Sequence, residues 1–327
     1  MGVLATSFLH PDWALLRDQF WALTVGGLTA GSIYALVALG YTMVYGVLRL
    51  INFANSEIFM LGTFGALFAT KWMGIEPGGD SVKTGLVLVA VIMVCLAVAM
   101  VFSGASAVAL ERIAYRPLRK RGATRLAALI SAIGASFAIS EFVAFRRGRN
   151  LEAFPRLANR DVLFTFFGAD IRTDQVFVIV AALVVMVALD QFVNRTRLGR
   201  GIRAVAQDSE TATLMGVNID RVVMLTFLLG GIMAGAAGLL FVFFFEVTKY
   251  NIGFIIGIKA FTAAVLGGIG NLRGALLGGL LLGLIENYGS ALWGTEWKDP
   301  IAFLVLVLVL MIRPTGLLGE ALGKARA

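Results

Sequence analysis

An all-α, polytopic membrane fold is the class this sequence predicts, and three features carry the prediction. Hydrophobic residues make up 59% and charged residues 15% of its 327 positions, against roughly 45–50% and roughly 25% in a soluble domain. Apolar windows recur whose length approaches the about 20 residues that take a helix across a bilayer, and the mean hydropathy is +0.86. The basic residues gather at the ends of those windows, where the signals that orient a membrane protein belong. A lipid bilayer is therefore the first partner expected.

The same features exclude other classes. A net charge of +8 would suit a nucleic-acid binder, but charge placed at span ends sets topology instead, so no nucleic-acid partner is expected. A single cysteine, Cys95, allows no intrachain disulfide, and a single histidine, His10, leaves no transition-metal constellation. There is no GxxxxGK(S/T) phosphate loop. Nor are there paired carboxylates, a histidine cluster or a nucleophile–base spacing that would mark an enzyme. Residues 1–20 lack a basic n-region with a cleavage site and do not read as a removable signal peptide. One transmembrane domain is expected over residues 1–327. With most of it in spans there is no room for an ATPase, so the energy source sits on another chain or in an ion gradient.

Residues 20–47 are apolar but rich in small residues, and Gly27 and Gly31 form a small-xxx-small pair that lets membrane helices approach closely. A polar interruption, RLINFANSE, follows at 49–57, then an apolar stretch at 58–72 and a loop at 73–84 with Pro77, Gly78 and Gly79. Residues 85–110 form a clear span. Residues 111–125 hold Arg112, Arg116, Arg119, Lys120, Arg121 and Arg125, the densest basic run, and belong on the cytoplasmic side. Residues 126–145 cross outward, 146–175 form a long outer loop, and 176–193 return. Residues 195–221 are a charged cytoplasmic loop, 222–245 cross out, and 257–269 with 275–292 make a hairpin whose tip carries Arg273. Residues 301–312 return inward, and Arg313, Lys324 and Arg326 mark a cytoplasmic C-terminus. The total is eight or nine spans, because residues 20–72 read either as two spans or as one span and a broken helix. That ambiguity leaves the side of the N-terminus open. Arg146, Arg147, Arg149, Arg156, Arg160 and Arg172, in the outer loop, run against the positive-inside rule.

Three sets of residues are candidates for function. Asn52, Asn55, Ser56 and Glu57 interrupt an apolar region with hydrogen-bonding side chains. Such a break either lines a pathway at membrane depth or is a polar turn at the surface. In the 195–221 loop, Asp208 and Ser209 are N-cap residues, Glu210 suits the positive end of a helix, and Ala212, Leu214 and Met215 supply helix formers and apolar surface. Gly216 is placed to end that helix of about two turns. A helix so short is marginal in water unless something packs on it, so it is expected to dock on a partner. Lys259 and Glu286 lie 13 and 14 residues from Leu272 at the hairpin tip, which places both roughly 20 Å from it. They either meet as an intramembrane ion pair or snorkel separately to the interface. The glycine pairs Gly231/Gly235, Gly274/Gly278 and Gly279/Gly283 are expected to pack helices, within the chain or against a second subunit.

Residues 31–57 (GSIYALVALGYTMVYGVLRLINFANSE), 199–221, 259–270 (KAFTAAVLGGIG) and 313–319 (RPTGLLG) resemble the permease subunits of bacterial ABC importers for branched-chain amino acids, the LivH type. The likeness runs from about 26 to 319. It implies an ABC importer permease fold in the bacterial inner membrane, with residues 146–175 as a periplasmic loop. It also implies a second homologous permease, two ATPase subunits and a periplasmic substrate-binding protein. ATP and Mg would sit on the ATPases and no cofactor on this chain. The family's ATPase-docking pattern EAA-x3-G is matched by Glu210, Ala212 and Gly216, with Thr211 for the middle alanine and no downstream proline. The family's NFAHGE reads NFANSE here, with Asn55 and Ser56 replacing His-Gly. The same machine carrying urea, a short amide or another amino acid is the alternative reading. A different class is an ion-driven secondary transporter, for which Glu286 is the one carboxylate candidate.

Overall fold

A computed structural model describes residues 12–78, 82–313 and 315–319. His10, Gly79, Lys324 and Arg326, singled out above, lie outside the described residues.

A short helix, α1 (Trp13–Asp18), leads into α2 (Phe20–Leu48). At 29 residues, α2 is roughly 43 Å long. It stops where Arg49 takes a left-handed φ of 54°, and the chain turns back on itself before α3 (Asn55–Trp72) begins. Residues 20–72 are thus two helices separated by a re-entrant stretch. Next comes α4 (Gly85–Leu110), and here the expected boundary is corrected. The basic run does not form a loop but continues the helix through a π-turn (Glu111–Tyr115) into α5 (Arg116–Lys120), a 36-residue rod. Pro117 has no N–H, and its ring crowds the carbonyl four residues earlier. The wider π-turn, in which the Arg116 amide donates to the Glu111 carbonyl, lets the helix pass that proline.

The chain continues through α6 (Arg125–Arg147) to β1 (Glu152–Ala153) and a hairpin of β2 (Val162–Phe166) and β3 (Ala169–Arg172). Then come α7 (Thr173–Arg195), α8 (Arg197–Gln207), α9 (Ser209–Leu214) and α10 (Ile219–Phe245). β4 (Val247–Thr248) pairs antiparallel with β1, and α11 (Ile252–Gly267), α12 (Leu272–Trp293) and α13 (Lys298–Ile312) are the last helices among the described residues. Among the described residues the chain is mostly helical, and the all-α expectation is corrected by these two small sheets at one end. Among the described residues six helices are long and apolar enough to cross a membrane: α2, the α4–α5 rod, α6, α7, α10 and α12. Three shorter helices packed in the bundle, α3, α11 and α13, have 18, 16 and 15 residues.

The bundle has two distinct ends. The strands and the five tryptophans, Trp13, Trp21, Trp72, Trp293 and Trp297, lie at the aromatic end, where Trp21 packs against Phe166 and Phe167. This end also holds the described N-terminal residues, since the Asp12 amide donates to the Leu292 carbonyl. The α8–α9 segment and the α11–α12 tip lie at the opposite, basic end. There the segment 315–319 folds onto the tip: the Leu317 and Leu318 amides donate to the Leu266 and Gly267 carbonyls. Arginines at the aromatic end are largely neutralised by acids. Arg156 and Arg160 meet Glu246 at 3.0 and 2.9 Å, Arg172 meets Asp174 at 3.2 Å, and Arg149 meets Glu141 at 2.8 Å. Glu141 and Glu246 therefore have charge partners rather than standing alone at span ends.

Lipid tails offer no hydrophobic drive between helices, so close backbone approach must hold them together. The glycine pairs meet one another within the chain. A Cβ at Gly27 would lie 3.0 Å from the Gly283 carbonyl oxygen, and one at Gly31 would lie 2.8 Å from that of Gly279, so α2 and α12 run antiparallel backbone to backbone. Gly231 and Gly235 pack on Ser103–Gly104 and Ala99–Met100 of α4, and Gly274 on Gly267 across the hairpin. The central helices α2 and α10 are buried along most of their length, whereas α4, α6 and α7 turn residues such as Leu86, Phe137 and Val184 outward. Gly279→Leu should force α2 and α12 apart by far more than the usual overpacking cost of about 1–3 kcal/mol, abolishing a monodisperse product. Gly134→Leu, with nothing within 4 Å of its Cβ position, should leave the melting temperature unchanged; thermal-shift gel filtration of both variants checks this.

Candidate functional site

The polar interruption lies inside the bundle. The Asn55 amide nitrogen donates to the Val37 carbonyl at 3.5 Å, and Val37 is eleven residues, roughly 16 Å, before the end of α2. Asn52, Asn55, Ser56 and Glu57 are all buried, at 2%, 1%, 4% and 2% exposure. The surface-turn alternative is thereby set aside on position. α3 starts at this depth and runs to the aromatic end. α11 starts beside it and runs to the basic end: a Cβ at Gly253 would lie 2.8 Å from a Glu57 carboxylate oxygen, and one at Gly257 would lie 3.1 Å from the Tyr41 hydroxyl. Two interrupted helices thus meet by their N-terminal turns inside the protein, the arrangement that discontinuous transporter helices use.

Most hydrogen-bonding groups here are already used. The first-turn amides of α3 bond back to the Asn52, Phe53 and Ala54 carbonyls, and the Ser56 hydroxyl donates to the Phe53 carbonyl at 2.7 Å. Tyr115, on the π-turn, donates to the Asn52 side-chain oxygen at 2.9 Å, and Ser136 of α6 donates to one Glu57 oxygen at 3.3 Å. Within Asn52, Asn55, Ser56 and Glu57 two buried side-chain atoms are left over: the Asn52 amide nitrogen, a donor, and the second Glu57 oxygen, an acceptor. Sequence reasoning did not find Tyr115, Ser136, Tyr41 or Gly253. Tyr115, Ser136 and Gly253 lie far away in the chain, and Tyr41, though nearer, sits in an apolar helix where nothing local marks it.

Lys259 and Glu286 are brought together: the ammonium donates to a Glu286 oxygen at 2.8 Å, with both residues buried. A third member comes from α13, where Asp299 approaches the same ammonium at 2.7 Å, and the Tyr34 ring lies 5.8 Å away. Lys259 thus clamps α11 to α12 and α13 rather than snorkelling.

At the basic end, α9 forms as its residues dictate. The Asp208 carboxylate accepts from the Glu210 and Thr211 amides and from the Thr211 hydroxyl. Those donors hold its pKa below the usual Asp range, the Thr211 hydroxyl most of all. The cap is therefore present above the ordinary Asp pKa and fails only as pH falls through the lowered one. At the other end, Gly216 has φ +84°, its amide reaches the Thr213 carbonyl and the Val217 amide that of Ala212, a Schellman closure. Ala212 is buried, while Ser209, Glu210, Met215 and Gly216 are exposed. Leu214 and Met215 stand 87% and 80% exposed, an apolar tip that the described residues leave uncovered. The Arg49 guanidinium donates to the Ala206 carbonyl at 2.9 Å, tying this segment to the start of the re-entrant stretch.

Comparison with known proteins gives this architecture its context. The family model of the permease component of branched-chain amino acid transport systems matches residues 23–310. The chain belongs to that family. It is 44% identical over 300 residues to the LivH permease protein of the Escherichia coli high-affinity branched-chain amino acid transport system, covering 90% of this chain and 94% of that one. To the BraD permease protein of Pseudomonas aeruginosa it is 42% identical over 299 residues, with the same coverage. A fructose import permease from Rhizobium meliloti is 32% identical over 166 residues, 47% of this chain and 46% of its own. A solved metal-chelate type ABC transporter in an inward-facing conformation aligns over 94% of this chain and 92% of its own, with 14% identity and a TM-score of 0.49. The chain is a multi-pass membrane permease, and membership of an ABC permease family sets aside the ion-driven carrier.

Breaking a buried ion pair from one side costs about 3–5 kcal/mol, because the other charge is stranded. Lys259→Met should therefore lower yield and melting temperature sharply. Lys259→Met/Glu286→Gln should recover part of the loss and a further Asp299→Asn more, as read by thermal-shift gel filtration.

Proposed function

We propose that this chain is the inner-membrane permease subunit of an ATP-binding-cassette importer for branched-chain amino acids, forming half of the translocation pathway. The observation that carries it is the family match over residues 23–310, with relatives of 44% and 42% identity that serve branched-chain amino acid transport. It is a non-catalytic transport subunit. α3, α11 and α13 are membrane-embedded beside the six long helices, for nine in all among the described residues. Its partners are ATPase and permease subunits: two of the first, which hold ATP and Mg while this chain carries no cofactor, and a homologous second permease. A periplasmic substrate-binding protein delivers to the aromatic end, where residues 146–175 lie, and residues 195–221 form the cytoplasmic coupling loop.

The two unspent groups at mid-depth suit an amino acid. A free carboxylate oxygen on Glu57 can accept from an α-ammonium, and the Asn52 amide can donate to an α-carboxylate. Both are sealed in this conformation, so the site must open to one side at a time. Asn55 and Ser56 spend their side chains on carbonyls of the chain itself, so the NFANSE variant is absorbed by the fold. Asn52, Asn55, Ser56 and Glu57 together shape the pathway, and Lys259–Glu286 holds its wall.

Coupling follows from contacts at the basic end. An ATPase gripping the exposed Ser209, Glu210, Met215 and Gly216, with the buried Ala212 seating α9 on its own chain, moves α8–α9 as a unit. Arg49, bonded to the Ala206 carbonyl, carries that motion into the re-entrant stretch, and so to Asn52 and Tyr115. Glu210→Arg and Gly216→Pro should each abolish ATPase co-purification while membrane insertion is kept; binding retained in both would remove the docking assignment. Glu57→Gln should cut leucine uptake at least tenfold with ATPase binding unchanged. Uptake of labelled leucine, competed by isoleucine and valine but not by urea or alanine, would establish the substrate class. Uptake of urea or an amide instead would keep the architecture and overturn the substrate.

A further inference from the structure

Arg146 and Arg147 stand apart from the other arginines of the aromatic end. Both are exposed at the C-terminus of α6, and neither has an acidic side chain within ion-pair distance among the described residues. They form the rim of a cavity of about 560 Å³ between α3, α4 and α6, within the roughly 300–1,000 Å³ typical of ligand sites. The wall is otherwise apolar: Phe64 and Phe68 from α3, Ala97 and Phe102 from α4, Phe142 from α6. α6 makes its main contacts with α3 and the π-turn, and the cavity is the gap it leaves against α4. Its lining runs from mid-helix residues to the helix end, so it lies along the bilayer normal with two guanidinium groups at headgroup level.

We infer that this groove binds one phospholipid, its acyl chain between α4 and α6 and its phosphate on Arg146 and Arg147. Guanidinium groups hold phosphate oxygens through paired N–H donors, and a bilayer supplies that anion joined to an acyl chain at this depth. A water-soluble phosphate would leave the aromatic wall unfilled, and an apolar helix of a partner would leave both arginines unpaired. The lipid accounts for two basic residues that the positive-inside rule disfavours at this end. It also completes the packing of α6, which brings Ser136 to Glu57.

The test uses the full chain purified with its partner subunits, stripped by detergent exchange and titrated with phosphatidylglycerol, with bound lipid counted by native mass spectrometry. Wild type should hold one tightly bound phospholipid per chain. R146Q/R147Q should weaken binding at least tenfold, R146K/R147K should restore part of it, and A97W, which fills the groove, should abolish it. ATPase co-purification should stay unchanged in all three. Equal lipid occupancy in wild type and R146Q/R147Q would overturn the inference. So would photo-cross-linking to the partner permease at high yield from a benzophenone side chain placed at position 97 or 142, because a protein helix would then fill the groove. If A97W fails to fold, the arginine variants decide alone.

Discussion

Glycine-mediated backbone contact is the interaction on which the rest of this structure depends. In lipid, two apolar helix faces gain nothing by leaving solvent, so adhesion comes from how near their backbones can come. At Gly27, Gly31, Gly279 and Gly283 the α2 and α12 backbones touch with no side chain between them. α10 presents Gly231, Gly235 and Gly238 to α4 and α3 in the same way. These seams make a rigid centre of α2 and α10. Around it, helices with outward-facing leucines, valines and phenylalanines meet the bilayer.

A rigid centre is what makes the interrupted helices tolerable. Polar backbone inside a membrane must be satisfied by the protein itself, and here the re-entrant stretch turns its carbonyls to the first amides of α3. The satisfaction is nearly complete, and the exceptions are informative: one nitrogen of Asn52 and one oxygen of Glu57. A buried polar group without a partner costs about 1–3 kcal/mol. This structure retains two of them beside a helix break, on Asn52 and Glu57. The route from the basic end to this place is short, through Arg49, Asn52 and Tyr115.

Charge follows a parallel logic. The arginines of the 146–175 segment look like a topology error when counted singly. In the folded chain Glu246 draws in two of them and Asp174 another, so most of that end is locally neutral. The basic run at 112–121 keeps its excess charge, although Glu111 and Asp220 take up part of it through Arg116 and Arg119.

What the sequence by itself determined is whatever rests on local chemistry. Composition and hydropathy decide the membrane class, Asp208 and Gly216 the bounds of α9, and glycine spacing the faces that pack. The motifs running from GSIYALVALGY to RPTGLLG point to the family. What only the tertiary structure decided is everything that pairs distant residues. The π-turn that joins α4 to α5, the depth at which Asn52–Glu57 sit, and the addition of Asp299 to the Lys259–Glu286 pair all belong here. So do Tyr115 and Ser136, whose hydroxyls carry no local signal of a partner 63 and 79 positions away. The physical reason is that a membrane helix is apolar on every side. Periodicity then reveals its length but not which face meets which neighbour, and a few close-packed glycines and buried polar contacts settle that only once the helices assemble.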